Sequence, residues 1–299
     1  MSLYRITHTT HYRYTQLVTL KPHVLRLCPR SDGAQWLQSF ELTVSPQPAL
    51  GYFLDALGNT CTKVTFDSSI DGWKIVALSD VCTIRDNPFD YISESWATHL
   101  PVDYPESVMG SLSPYLGRNR EIAIAPSVIT FAQSLWQEVS GHVGYFLMQL
   151  TQRIPEMCAY QQRLEGDPYL PSTTLEKKSG TCRDYAVLFV AVCRAVGLAA
   201  RFVSGYQTGD LETTTETTIH DLHAWAEVYI PGGGWRGFDP TLGLAVGSEH
   251  IAIAAAPHYK QAAPVTGAIQ TAQSIETQLD SDIKIVSISQ PELQADLRR

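Results

Sequence analysis

No two cysteines in this chain stand in a CxxC pair, so a structural zinc site of the usual spacing is not expected. Six cysteines (Cys28, Cys61, Cys82, Cys158, Cys182 and Cys193) in 299 residues are also too sparse for a disulfide scaffold. Reduced thiols, most of them buried, are expected. No window approaches the roughly 18 consecutive apolar residues of a membrane helix. The opening residues "MSLYRITHTTHYRYTQ" contain no apolar stretch of the secretory type. No basic or acidic run exceeds a few residues within a formal net charge of -8, and nucleic acid needs a concentrated Lys/Arg footprint. A soluble, cytoplasmic protein with neither nucleic-acid nor membrane partners is expected. Its 44% apolar and 17% charged content is ordinary for a globular chain long enough for two cores.

What is present divides by period. From Tyr4 to about Ile84 short β-rich runs alternate with turn residues, and Tyr4, Ile6, His8, Thr10, Tyr12 and Tyr14 share one face of the first. This spacing predicts an antiparallel sandwich, with His8 and His11 on opposite faces and therefore poor co-ligands. Residues 87–126, rich in Pro, Ser and Tyr, are expected to connect two domains. Beyond Pro126 the period becomes helical. Val128, Phe131, Ala132, Leu135, Trp136 and Val139 form one stripe; Phe146, Leu147, Leu150 and Ile154 form a second, stopped by Pro155. A third helix runs from Cys182 to Gly197, and strands follow at 200–206, 222–230 and 235–239, with a polar loop before the second. Helices followed by antiparallel strands predict an α+β domain. The expected division is residues 1–110, β-rich; 111–265, a core; and 266–299, a tail with one late strand.

The chemistry centres on "SGTCRDYAVLFVAVCRAVG". Cys182 and Cys193 are eleven residues apart, about 16 Å along a helix on nearly the same face, so they cannot share a site. Cys193 lies mid-helix among apolar residues and is expected to be packing. Cys182 opens the helix after Ser179-Gly180-Thr181, where unpaired N–H groups and the positive end of the dipole favour thiolate and can bind a developing oxyanion. A catalytic thiol needs a base and an orienting group. His223 heads the strand "HAWAEVYI" and Asp239 ends "WRGFD" across a glycine turn. In ideal hairpin register residue 223 pairs near 242, so a bulge or twist would bring Asp239 beside it. Singly, each has a plain structural explanation, a strand-end histidine and an Asx turn before Pro240-Thr241. Together, three such residues at three element ends favour catalysis.

At these residues the chain resembles the bacterial transglutaminase-like superfamily of papain-type cysteine enzymes. The resemblance is carried by "SGTCRDYAVLFVAVCRAVGLAARFVSGY", "HAWAEVYIPGGGW" and "FDPT", and extends to the β-rich N-terminal "YRITHTTHYRYTQLVTLKPHVLRLCPR". It implies a sandwich followed by a papain-like core of helices on an antiparallel sheet. Cys182 would be the nucleophile, His223 the general base and then acid, and Asp239 the orienting group. Tyr160 resembles an aromatic position that assists the oxyanion hole in relatives, or is a packed aromatic; Trp225 resembles a wall of the site, or is core. Relatives read near Gly-Arg-Asp-Tyr beyond the third catalytic residue, where this chain has Ala256, Pro257 and His258 before Tyr259. The implied activity is thiol-dependent acyl transfer on peptide or glutamine amides, with a protein or peptide substrate and no metal or organic cofactor. Two other readings are a non-catalytic peptide-binding module on the same fold and a zinc site from Cys182, His220 and His223.

Overall fold

The computed structural model describes residues 1–117, 124–163, 166–209, 216–219, 222–270 and 275–289. The N-terminal third holds β1 (Ser2–Val18), β2 (His23–Leu25), β3 (Gln35–Ser45), β4 (Ala49–Leu54), β5 (Thr60–Thr65) and β6 (Ile70–Thr83). The alternation in β1 does what a half-buried strand requires: Tyr4, Ile6, His8 and Thr10 turn inward against a core that includes Trp73, Ile75 and Val81.

The segment expected to connect domains is instead part of the second core. It contains helix α1 (Glu106–Leu112), and Ala97, Leu100, Val102, Tyr104, Leu112 and Leu116 are all buried in the helical cluster. The Tyr104 hydroxyl donates to the Tyr229 carbonyl at 3.1 Å and accepts from the Ala199 N–H at 3.1 Å. Its aromatic and proline content masked the few large side chains that anchor it.

Next come α2 (Pro126–Glu138), α3 (Val143–Met157), the short β7 (Ala159–Tyr160), α4 (Pro171–Lys177), β8 (Ser179–Gly180) and α5 (Cys182–Ala195). Pro155 does not stop α3, which runs on to Met157. One missing N–H in the last turn is tolerated because Cys158 N still donates to Ile154 O at 3.0 Å. Helix α5 is buried on more than one face, because Leu188, Val192 and even Arg194 are buried alongside Tyr185, Phe189 and Cys193. It is the central helix, with other helices on one side and the core sheet on the other. The buried Arg194 is satisfied by carbonyls, its Nη2 donating to Ala200 O at 2.8 Å and Pro257 O at 2.6 Å.

The remaining strands are β9 (Ala200–Gln207), β10 (Glu216–Ile219), β11 (His223–Ile230), β12 (Gly234–Asp239), β13 (Leu244–Ala245), β14 (His250–Ala256), β15 (Val265–Thr266) and β16 (Thr277–Ser287). Among the described residues the core sheet has the order β13-β12-β11-β9-β14. The N-terminal sheets have the orders β10-β16-β1-β6-β3 and β15-β2-β5-β4. The fold is therefore mixed α and β, antiparallel sheets in front of a helix-on-sheet core.

The two regions are interwoven in sequence. β16 pairs with β1 over eleven residue pairs, from Tyr4↔Ser287 to Tyr14↔Thr277. β10, inside what reads as a polar loop, adds to the edge of β16, and β15 pairs with β2.

Candidate active site

The parallel pairing of β7 with β8 sets Tyr160 beside Gly180 and leads directly into α5. Gly180 is required there, since a Cβ at this position would stand 2.8 Å from the Asp184 Cβ. Thr181 caps the helix: its N–H and its hydroxyl donate to Asp184 Oδ2 at 2.7 and 3.1 Å. Asp184, fully buried, also accepts from Arg163 Nη2 and the Tyr169 N–H, both at 2.6 Å. These bonds lock the first turn, so the half-buried Cys182 is presented from a fixed helix end.

His223 begins β11, pairing with Gly205 of β9. The hairpin register, Ala226↔Phe238 and Glu227↔Gly237, runs on to set Asp239 opposite Trp225 rather than His223. No bulge is needed, because His223 and Asp239 are then diagonal neighbours on one face, a spacing that two polar side chains can bridge. His223 Nε2 lies 2.6 Å from Asp239 Oδ2, and the other side of the ring shares a hydrogen bond with the Cys182 side chain. With Nε2 engaged by the carboxylate, Nδ1 is the nitrogen left for the thiol. Burial pulls the imidazole's proton affinity down, but hydrogen bonds to Asp239 and Cys182 and their negative charge outweigh it, raising His223 from 6.5 to about 10. Burial pushes the Asp239 carboxyl up, yet its two imidazole partners hold it well below the usual carboxylate range.

Asp239 has no solvent exposure, and its Oδ1 accepts from the N–H groups of Thr241 at 2.8 Å and Leu242 at 3.3 Å. Its Oδ2 takes a second histidine, His250 at the head of β14, through Nε2 at 2.9 Å. His250 escaped the sequence reading, although a histidine opening the apolar run "HIAIAAA" repeats the signal of "HAWAEVYI". Its ring stands edge-on to Trp225, centroids 5.3 Å apart. Trp225 does not line the cleft; it is buried behind the two imidazoles and packs 6.2 Å from His223.

The ligand atoms of His223, Asp239 and His250 lie within 4.8 Å of one another, a grouping that could hold a metal ion. A cation there would have to displace the protons that bind both imidazoles to Oδ2. His220, part of the zinc alternative, lies outside the described residues.

A cleft of about 380 Å³ opens in front of Cys182 and His223. Tyr160, 57% exposed, and Phe202 line it from the core. Its opposite wall belongs to the N-terminal sheet: His8, Thr10 and Tyr12 from β1, with Leu279 and Ser281 from β16. His8 is buried and tied to the core by Nδ1, 3.0 Å from the Tyr206 hydroxyl, while Nε2 meets Thr10 Oγ1 at 3.1 Å. Burial pulls it down to about 4, so it is neutral at physiological pH. Tyr259, from the segment that departs from its relatives, also lines the cleft. Cys193 has no exposure, and burial pushes its thiol well above the ordinary range despite the neighbouring Arg194.

Residues 129–240 match the transglutaminase-like superfamily, and residues 4–82 match the bacterial transglutaminase-like N-terminal region. The two matched regions follow one another along the chain, the N-terminal region first and the transglutaminase-like region, which holds Cys182, His223 and Asp239, after it. It is 28% identical over 298 residues to an uncharacterized protein of Mycobacterium bovis, covering 95% of this chain and 92% of that protein. Over 73 residues it is 41% identical to the protein-glutamine gamma-glutamyltransferase of Pseudomonas aeruginosa, covering 23% of this chain and 11% of that enzyme. A crystal structure of a proposed cysteine protease from Cytophaga hutchinsonii superposes with a TM-score of 0.73 at 19% identity, covering 96% of this chain and 91% of that one. That likeness establishes a shared fold across both regions of this transglutaminase-like protein. No helix among the described residues is long and apolar enough to cross a membrane.

Proposed function

We propose that this transglutaminase-like protein is a thiol-dependent acyl-transfer enzyme in which Cys182 is the nucleophile, His223 the general base and acid, and Asp239 the group that orients the imidazole. The observation that carries the reading is the continuous chain from the Cys182 side chain through His223 to Asp239 Oδ2, at the floor of an open cleft. A buried carboxylate fully occupied by donors fixes the tautomer of His223 and stabilises its charged form, which is what a thiolate–imidazolium pair needs.

The proton moves first, from Sγ to His223 Nδ1. Thiolate then attacks the carbonyl carbon of a peptide or glutamine amide, forming a C–S bond while the π pair moves to oxygen. The N–H groups at the head of α5 would receive that oxygen, and Tyr160, which pairs beside Gly180 and lines the cleft, would assist. When the tetrahedral species collapses, the C–N bond breaks and the leaving amine or ammonia takes the proton from Nδ1. A water or a primary amine then attacks the thioester, giving its proton to His223 as the C–S bond breaks and thiolate returns. No step calls for a metal or an organic cofactor. The substrate class is a protein or peptide amide, because the cleft is open and partly apolar.

Mass spectrometry after limiting iodoacetamide at pH 6 to 7 tests the reading. Fast labelling of Cys182, slowed by His223→Ala, with Cys193 silent, is the expected result. Equal slow labelling of both cysteines would overturn it. A glutamine-bearing peptide offered with and without a primary amine then separates hydrolysis from transamidation.

A further inference from the structure

Asp239 carries more than the triad demands. Its Oδ1 is pinned by two backbone N–H groups, so the carboxylate is oriented without help from a second side chain. Yet Oδ2, the oxygen that faces His223, is shared with His250. Since a carboxylate oxygen only accepts, both Nε2 atoms must carry protons. His250 is then held as its Nε2–H tautomer, and its Nδ1 is buried with no partner among the described residues. A buried polar atom left unsatisfied is a cost that packing alone would remove with an apolar residue.

We propose that His250 is a positioning residue for the acyl-transfer site: by donating to Asp239 Oδ2 it shares the oxygen that binds His223, so that the imidazolium is gripped less tightly and releases its proton to the leaving amine more readily. The inference rests on the acyl-transfer reading above and deepens it. The titratable side chains facing His223 are Cys182 from α5, Asp239 from β12 and His250 from β14. Cys182 and Asp239 strengthen its hold on the proton, and His250 opposes them by drawing on the charge of Asp239. Removing the His250 donor therefore concentrates charge on Oδ2 toward His223.

The test uses the purified full chain and needs no substrate. The rate of Cys182 alkylation by iodoacetamide is followed from pH 4 to 11. An ion-paired thiolate gives two steps, the upper one marking loss of the His223 proton. His250→Leu is expected to move that upper step up by about one pH unit, a roughly tenfold rise in proton affinity. His250→Gln, whose amide N–H reaches a similar position, is expected to bring it back. An upper step that stays in place or moves down in His250→Leu, beside a two-step wild type, overturns the inference alone. A wild-type profile identical to that of His223→Ala removes the acyl-transfer reading itself. If His250→Leu does not fold, His250→Asn, polar but too short to reach Oδ2, replaces it in the comparison with His250→Gln.

Discussion

Replacing Asp239 with asparagine changes one atom and should disable the site. Four donors converge on this carboxylate, two backbone N–H groups on Oδ1 and two imidazole N–H groups on Oδ2. An asparagine offers one acceptor oxygen and one NH2. If its oxygen stays with Thr241 and Leu242, its NH2 confronts both Nε2–H groups. His223 must then move its proton to Nδ1, the nitrogen facing Cys182, and can no longer accept from the thiol. If the amide is turned the other way, the NH2 confronts two backbone donors that have no other tautomer. Each charge-assisted bond lost is worth about 1.5–3 kcal/mol, so the two imidazole bonds together represent about 3–6 kcal/mol. Relaxation would recover part of that, leaving a drop in Tm of about 10 °C for a chain of this size. Wrong-tautomer histidine in a triad costs on the order of 10⁴ in rate. Cys182 labelling at pH 7 followed by mass spectrometry, with thermal unfolding by circular dichroism, reads both quantities. An Asp239→Asn protein that labels within about threefold of wild type and melts at the same temperature would refute the reasoning.

Stability should fall toward both pH extremes through this same pair. His223 binds its proton more tightly folded than unfolded, so its contribution is complete below about 6.5 and is lost as pH rises through about 10. Asp239 is shifted the other way, so its contribution is present above the ordinary carboxylate pKa and is lost as pH falls through its depressed folded value. Urea midpoints should therefore be highest between about pH 4 and 7 and fall both at pH 2 and at pH 10, and a steady rise to pH 10 would contradict the pairing. Gly205→Ala should unfold the site locally, because a Cβ there overlaps the Ile251 carbonyl and the Trp225 ring directly across from His223. A cost above about 3 kcal/mol by urea denaturation, with Cys182 labelling slowed, is the expected outcome. Asp184→Ala removes the buried carboxylate that holds Thr181, Tyr169 and Arg163, and should cost about 3–5 kcal/mol. Hydrogen exchange in the first turn of α5 should rise in that variant; unchanged protection there would show that the cap does not hold the turn.

Much of this architecture was legible because each key residue sits where two local signals meet. Cys182 coincides with a helix start, His223 with a strand start, and Asp239 with a strand end before proline. The β1 alternation likewise announced its buried face. What stayed hidden depends on distance along the chain. His250 is eleven residues beyond Asp239 and reaches it only because β14 crosses to the far side of β9. The anchoring of residues 97–116 is written in scattered Leu, Val and Tyr side chains with no period to betray them. Helix α5 is enclosed on more than one face because Leu188, Ala191, Val192 and the carbonyl-satisfied Arg194 are buried along with Tyr185, Phe189 and Cys193. The meeting of Cys182, His223 and Asp239 itself required the sheet register, which sets Asp239 diagonally rather than directly across.

The pairing of β16 with β1 has a consequence for synthesis. Leu279 and Ser281 line the cleft from a strand near the C-terminal end of the described chain, and they are held there by residues made first. While translation is still short of Thr277, the helix bearing Cys182 and the strands bearing His223 and Asp239 have been made, but the part of the opposite wall that β16 supplies has not. A nascent chain thus carries its thiol before it carries the surface that would confine a substrate beside it, and the groove is completed only when the late strand closes back onto the early one.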